Sequence, residues 1–360
     1  MSIDVPALSV RGLTHAYGRA PSVRGVDFDV AAGEVLCLVG PSGCGKSTTL
    51  RMIAGLERPT GGEIRLKGAV VANGDRSSRP ESRNVGLMFQ DFALFPHLTI
   101  LDNIAFGLRR RSTAQRRDRA LAMAGLVGLT EMVDRHPHQL SGGQQQRAAL
   151  ARALAPNPSA MLLDEPFSSL DATLRADLRA DALAVLREAD APVVFVTHDG
   201  EEALLSADRL AVMRGGRIEQ IGAPEEIYFH PVNAFVAGFF GQVNRFEGVA
   251  RGGLVDTPLG AAPAPGCADG APVEVLVRPE AIRLGDLNGE GAEGRVRDAR
   301  VSRSGGIVRV DLPAPGGECC LECRVFGQPL PPRGDSVKVG VDRARFFVFP
   351  RGDSGDLRAA

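Results

Sequence analysis

The chain holds no tryptophan, two tyrosines and six cysteines in 360 residues, and lysine occurs only at Lys46, Lys67 and Lys338. Each scarcity excludes something. Six cysteines in a chain of this length do not form the disulfide framework of a small secreted domain. Three of them cluster at Cys319, Cys320 and Cys323, but no second pair stands nearby to complete a zinc site, so they are expected to be ordinary strand residues. A net charge of −1 gives no overall electrostatic pull toward nucleic acid, and no nucleic-acid partner is expected. No apolar run approaches the 18 residues that a membrane span requires. The opening MSIDVPALSV has neither a basic nor an apolar stretch, so no signal peptide is expected. Internal repeats are also missing. These exclusions leave a cytoplasmic protein of two domains.

With lysine so rare, the position of Lys46 matters. It lies in LVGPSGCGKSTTL, residues 38–50, where an apolar run gives way to three glycines and then to a helical pattern. Glycine visits left-handed backbone freely, and successive amide N–H groups in such a loop form a concavity for an anion. A helix starting here adds its unpaired N–H groups and the positive end of its dipole. The spacing Gly40-x4-Gly45-Lys46-Ser47 is that of a phosphate loop. In that motif the backbone of Gly40, Pro41, Ser42, Gly43, Cys44 and Gly45 cradles phosphates, Lys46 reaches the terminal oxygens, and Ser47, followed by Thr48, offers a hydroxyl to Mg2+. Residues 34–39 read as a buried parallel strand and 47–55 as the following helix. Cys44 sits inside the loop, where the helix N-terminus favours its thiolate.

Two further stretches extend the reading. AMLLDEP, residues 160–166, is a buried strand ending in two acids. Asp164 is placed for the Mg2+ shell, and Glu165 to polarise a water. LSGGQQQRAALARAL, residues 140–154, sets Ser141, Gly142, Gly143 and Gln144 at a helix start, a second anion-directed N-terminus.

These motifs together resemble the ATP-binding cassette of ABC-type ATPases over residues 5–235. The resemblance implies an α/β phosphate-loop cassette with a helical subdomain, hydrolysis of ATP, and ATP with Mg2+ as cofactors. It implies that Tyr17 stacks on adenine, that Gln90 touches Mg2+ and the attacking water, that Ser168 to Asp171 form a loop at the dimer interface, and that His198 contacts the γ-phosphate. Glu165 would then be the general base. Because the signature Ser141–Gln144 serves the nucleotide of another subunit, the family pattern implies a head-to-tail homodimer or pairing with a similar subunit. Gly200 departs from relatives, which carry a larger residue there, and is expected to loosen the helix start after His198. Translation-type relatives carry two cassettes per chain and repair-type relatives insert long coiled coils. Here there is one cassette, with 94 residues between Lys46 and Ser141.

Residues 91–108 place Phe92, Leu94, Phe95 and Leu98 in a region expected to be exposed, and in relatives this region receives membrane subunits. The arginines at 109–111 and 116–119 read as a solvated helix face within 109–129. After Gly241 short alternating strands separated by turns predict a small β-barrel or sandwich. VRPEAIRL, residues 277–284, resembles the accessory β-rich, OB-like domain of importer ATPases, the group that serves ferric iron, polyamines, sugars, sulfate or phosphonates. The expected domains are therefore residues 1–240 and 241–360. The resemblance implies an integral-membrane permease, a periplasmic binding protein acting indirectly, and a place on the cytoplasmic face of the inner membrane. The cassette wording is most similar to ferric-iron importer ATPases, with the polyamine type next.

Overall fold

The computed structural model describes residues 5–108, 111–168, 175–285, 291–302, 305–314 and 317–351. Arg109 and Arg110 of the basic run, and Ser169 to Asp171 of the expected interface loop, lie outside the described residues. The chain divides into two compact units, Met1–Glu226 and Ile227–Ala360.

The first unit is built on a six-stranded sheet in the order Arg217–Gly222, Arg209–Arg214, Val35–Val39, Val193–Thr197, Ala160–Asp164, Val85–Met88. All neighbours run parallel except the Arg217–Gly222 edge. Unbroken apolar runs such as VLCLV and VVFVT suit this position, because a parallel sheet is covered on both faces. Every residue of those two strands is buried. Leu36, Leu38, Val194 and Val196 share one core with Leu50 and Ile53 of helix Lys46–Ala54. Each such side chain contributes about 1.5–3 kcal/mol through burial. An antiparallel sheet, ordered Ala20–Val30, Leu8–Tyr17, Gly61–Leu66, Ala69–Asn73, Arg76–Ser77, packs Leu8, Val10 and Val26 against the same core.

The helical subdomain holds helices Ile100–Ala105 and Thr113–Leu126. The second is shorter than the expected 109–129. Ser112 caps it in a reciprocal pair with Gln115, which fixes the start. Phe92 and Leu98 do not form one exposed patch. Phe92 is buried, and Leu94, Phe95 and Leu98 are half-buried. Phe95 lies 4.2 Å from Phe106, ring to ring, and the Arg152 guanidinium sits 5.5 Å over it. The loop is held from within. Asn103, fully buried, donates to the carbonyls of Phe95, Leu98 and Thr99 and accepts from the Phe95 N–H.

The second unit is rich in strands. A three-stranded sheet joins Asn244–Val249, Pro272–Val277 and Phe347–Pro350, and a five-stranded sheet runs Ile282–Leu284, Ser336–Val341, Ala292–Ser302, Gly305–Ala314, Gly317–Val325. One core takes Phe246, Val275, Val308, Leu321 and Val339 from both sheets. Asn244 ties the sheets together: its amide donates to Glu322 O, and its carbonyl oxygen accepts from Glu322 N at 2.8 Å. Helix Ala234–Phe239 belongs to this unit because Ala234 and Ala237 pack on Leu276. On strand Gly317–Val325, Cys323 is buried in the core while Cys320 is exposed opposite Asp311. Among the described residues no three metal-binding side chains converge, and no helix is long and apolar enough to cross a membrane.

Candidate functional site

Four neighbouring parallel strands, Val35–Val39, Val193–Thr197, Ala160–Asp164 and Val85–Met88, end side by side. The residues that follow them are the phosphate loop, His198, Glu165 and, two residues on from Met88, Gln90. In open α/β sheets the carboxyl edge of the strands is where ligands bind. Sheet order therefore assembles side chains that are more than a hundred residues apart in sequence.

The phosphate loop turns on glycines that nothing else replaces. Gly45 has φ +105°, and a Cβ there would lie 2.5 Å from Ser22 O. A Cβ on Gly40 would meet Met213 O at 2.2 Å. Pro41, Ser42 and Gly43 are exposed, and Ser47 and Thr48 are half-buried on the first turn of the helix. Lys46 is buried, with Nζ donating to Gly40 O at 2.6 Å and Pro41 O at 3.0 Å. Its charge is thus held over the loop, with carbonyls as its partners. Cys44 corrects the sequence reading. Its side chain is buried in the hydrophobic core, and burial pushes the thiol up despite the nearby Lys46. Its Sγ lies under the loop, 3.8 Å from Lys46 Nζ.

Ser47 Oγ donates to Asp164 Oδ1 at 2.9 Å. A hydroxyl and a carboxylate at this distance, with the Gln90 amide on a neighbouring loop, form an all-oxygen donor set of the kind Mg2+ takes alongside phosphate and water. The residues present fit that cation.

Glu165 stands next to Asp164 and is half-buried. His198 Nδ1 lies 3.1 Å from Oε1, and Gln90 Nε2 donates to Oε2 at 3.4 Å. One carboxylate is thus oriented from both sides. Glu165 adopts left-handed backbone, φ +47°, a conformation that side-chain-bearing residues hold only when their surroundings fix it. His198 is itself placed by its neighbours. Thr197 Oγ1 donates to the buried Glu202 carboxylate at 2.7 Å and accepts from Asp199 N at 3.0 Å. Asp199 caps the helix by accepting from Glu201 N and Glu202 N. Gly200 is the first residue of helix Gly200–Ser206, whose start Asp199 caps.

Ser141 caps helix Gly142–Leu154, accepting from Gln144 N, while Gln144 accepts from Ser141 N. Gly142 is exposed and Gly143 packs toward Leu178. The bonds of Ser141 and Gln144 run to one another and not to the phosphate loop. Tyr17 is 49% exposed at the end of strand Leu8–Tyr17, edge-on to His15 at 4.7 Å. No described contact joins it to Lys46 or Glu165. Sequence reasoning missed Gln146, Arg152 and Asn103, buried or partly buried polar groups that grip the loops around Glu165 and Gln90. Their signal was a polar residue on the apolar face of a helix.

A family model described as ABC transporter matches residues 23–168. A sulfate/thiosulfate import ATP-binding protein of Methylococcus capsulatus is 41% identical over 95% of this chain and 99% of its own length. An Fe(3+) ions import ATP-binding protein of Mesorhizobium japonicum is 45% identical with the same two coverages, 95% and 99%. A spermidine/putrescine import ATP-binding protein of Frankia alni is 42% identical over 96% of this chain and 79% of that one. Among solved structures, a dimeric, post-hydrolysis ATP-binding cassette bound to ADP and phosphate is 32% identical, with a TM-score of 0.52 over 60% of this chain and 98% of that one.

Proposed function

Since this chain belongs to the ATP-binding subunits of ABC importers and is an ATPase, we propose that it hydrolyses ATP at the carboxyl edge of its parallel sheet to drive import of ferric iron. The observation that carries the site is the Glu165 carboxylate, held between His198 and Gln90 beside the Ser47–Asp164 pair. Lys46 and the backbone N–H groups of the loop from Gly40 to Gly45 other than Pro41, which has none, with Thr48, bind the phosphates, and Tyr17 stacks on adenine. Ser47, Asp164 and Gln90 would hold Mg2+, whose charge neutralises the phosphate oxygens. Glu165 takes a proton from water as the water oxygen attacks the γ-phosphorus. The bond to the oxygen of ADP breaks, and His198 holds the transferred group.

Ser141–Gln144 of a second copy would complete each site in a head-to-tail dimer. ATP would close that dimer and hydrolysis would open it. The stretch 91–108, stiffened by Asn103 and Arg152, is the surface for permease subunits on the cytoplasmic face of the membrane, and a periplasmic binding protein acts through them. The unit Met1–Glu226 forms the ATPase domain and the unit Ile227–Ala360 the accessory domain, a boundary earlier than the expected 240/241 because helix Ala234–Phe239 packs on Leu276 of the second unit.

The iron reading is supported by the 45% identity to an Fe(3+) import subunit over nearly the whole chain. Polyamine import is the second reading, from the comparable likeness to a spermidine/putrescine subunit. Two experiments test the proposal. Glu165→Gln should bind ATP, turn over at least ~100-fold more slowly and accumulate as a dimer on size exclusion. Near-normal turnover would remove Glu165 as base. Deleting the chain should slow uptake of labelled Fe3+, restored by the wild type and not by Lys46→Ala, with putrescine and spermidine uptake unchanged. Loss of polyamine uptake with normal iron uptake would replace the iron reading by the second one.

A further inference from the structure

Gln146 is nearly fully buried, 2% exposed, on helix Gly142–Leu154. Its Nε2 donates to Pro166 O at 3.1 Å. Its Oε1 is buried with no hydrogen-bond partner. As a packing element this is a poor choice, since an unpartnered buried amide oxygen is unfavourable and an apolar side chain of the same length avoids it. The bond to Pro166 is what the side chain achieves. That carbonyl belongs to the residue directly after Glu165.

Glu165 needs such support. Its φ of +47° is disfavoured for any residue with a Cβ. Four contacts oppose relaxation. Glu165 N donates to Val196 O at 3.1 Å, Ser168 Oγ and Ser168 N donate to Glu165 O at 2.9 and 3.3 Å, and Gln146 pins the next carbonyl. The first three come from the neighbouring strand and from the loop itself. The fourth comes from the helix that Ser141 and Gln144 open.

We propose that Gln146 is a positioning residue for Glu165, holding its strained backbone so that the carboxylate faces His198 and Gln90, and that it links the signature helix to the hydrolytic carboxylate of the same chain. The inference rests on the reading of Glu165 as the base. Pro166 is bonded to the helix whose signature end, in the proposed dimer, meets the partner's nucleotide, so a chain's base is tied to the site it completes in the other subunit.

The test uses the full chain. Gln146→Met keeps length and removes the donor. Its kcat should fall about tenfold, equivalent to about 1.36 kcal/mol. KM for ATP and the affinity for a fluorescent ATP analogue should stay within about twofold of wild type, and Tm should not fall. Gln146→Glu supplies the discriminating readout. A protonated acid can still donate to Pro166 O and an ionised one cannot, and burial favours the protonated form. The kcat of Gln146→Glu relative to wild type should therefore rise as pH falls, while the ratio for Gln146→Met stays flat. Ser168→Ala, outside the helix, should lower kcat in the same direction by a smaller factor. Wild-type kcat in Gln146→Met overturns the inference. So does a loss in which kcat, nucleotide affinity and Tm fall together, or a flat pH ratio in Gln146→Glu. Should Gln146→Met fail to fold, the pH ratio and Ser168→Ala decide. Failure of the base reading shows separately, as normal turnover by Glu165→Gln.

Discussion

Replacing Asn103 by alanine tests how the segment after Gln90 is held. The side chain makes four hydrogen bonds, at 2.8 Å from Phe95 N and at 3.1, 3.2 and 2.9 Å to the carbonyls of Phe95, Leu98 and Thr99. They are not equal. Phe95 O also accepts from Leu98 N, and Thr99 O from Asn103 N, so both keep a partner in the variant. The Phe95 N–H and Leu98 O lose the side-chain partner that they have. Two orphaned groups at about 1 kcal/mol each and two partly compensated ones at about 0.5 kcal/mol each give a loss of about 3 kcal/mol. In a unit of about 200 residues this lowers the melting temperature by roughly 6–12 °C. Calorimetry on the full chain measures it, reading the transition that ATP shifts. Asn103→Asp sharpens the test. It keeps an acceptor for Phe95 N but turns a carboxylate toward three carbonyls. The folded state then raises the carboxyl pKa above its unfolded value. The variant should be least stable at neutral pH and recover as pH falls through that raised value, because the folded state holds the proton more tightly. A shift below about 2 °C for Asn103→Ala, or an Asn103→Asp protein insensitive to pH, would refute this account of the loop.

Two other outcomes follow from buried groups. Burial holds the Cys44 thiol above its ordinary range, so a bulky maleimide should react slowly with the folded chain and fast in denaturant. ATP should slow it further, and any modification that occurs should abolish ATPase activity; rapid labelling of folded protein at neutral pH would contradict the core position of Sγ. Tyr228 is pushed up to about 12 by burial and by its hydrogen bond to Glu280. With Tyr17→Phe it becomes the single tyrosine in a chain without tryptophan, and its ultraviolet titration should show ionisation well above pH 10. The raised value means that its contribution to stability is complete below about pH 10 and is lost as pH rises toward 12; titration near 10 in folded protein would show that the Glu280 contact does not form in solution.

Local chemistry was legible in the sequence wherever function needs several residues at fixed short spacing. The phosphate loop from Gly40 to Ser47, the acid pair Asp164–Glu165 and the Ser141 cap each declare themselves, because a glycine turn, a strand end or a helix start is a local event. The two-part layout was readable from the change of period, from long α/β alternation to short strands. Tertiary structure alone decided which of these pieces meet. Glu165 lies between His198 and Gln90 only because strands Val193–Thr197, Ala160–Asp164 and Val85–Met88 are neighbours in the sheet, an order that backbone pairing sets and that no local spacing encodes. The fold also reversed one local inference. A helix N-terminus argued for a thiolate at Cys44, but the loop turns that side chain into the core, where desolvation outweighs the dipole. It likewise gave meaning to Gln146, Arg152 and Asn103. In one dimension they are polar residues on apolar helix faces; in three dimensions Gln146 and Arg152 bond carbonyls of loops distant in sequence and Asn103 those of the loop just before its own helix, and the cost of leaving such groups unpaired explains their presence.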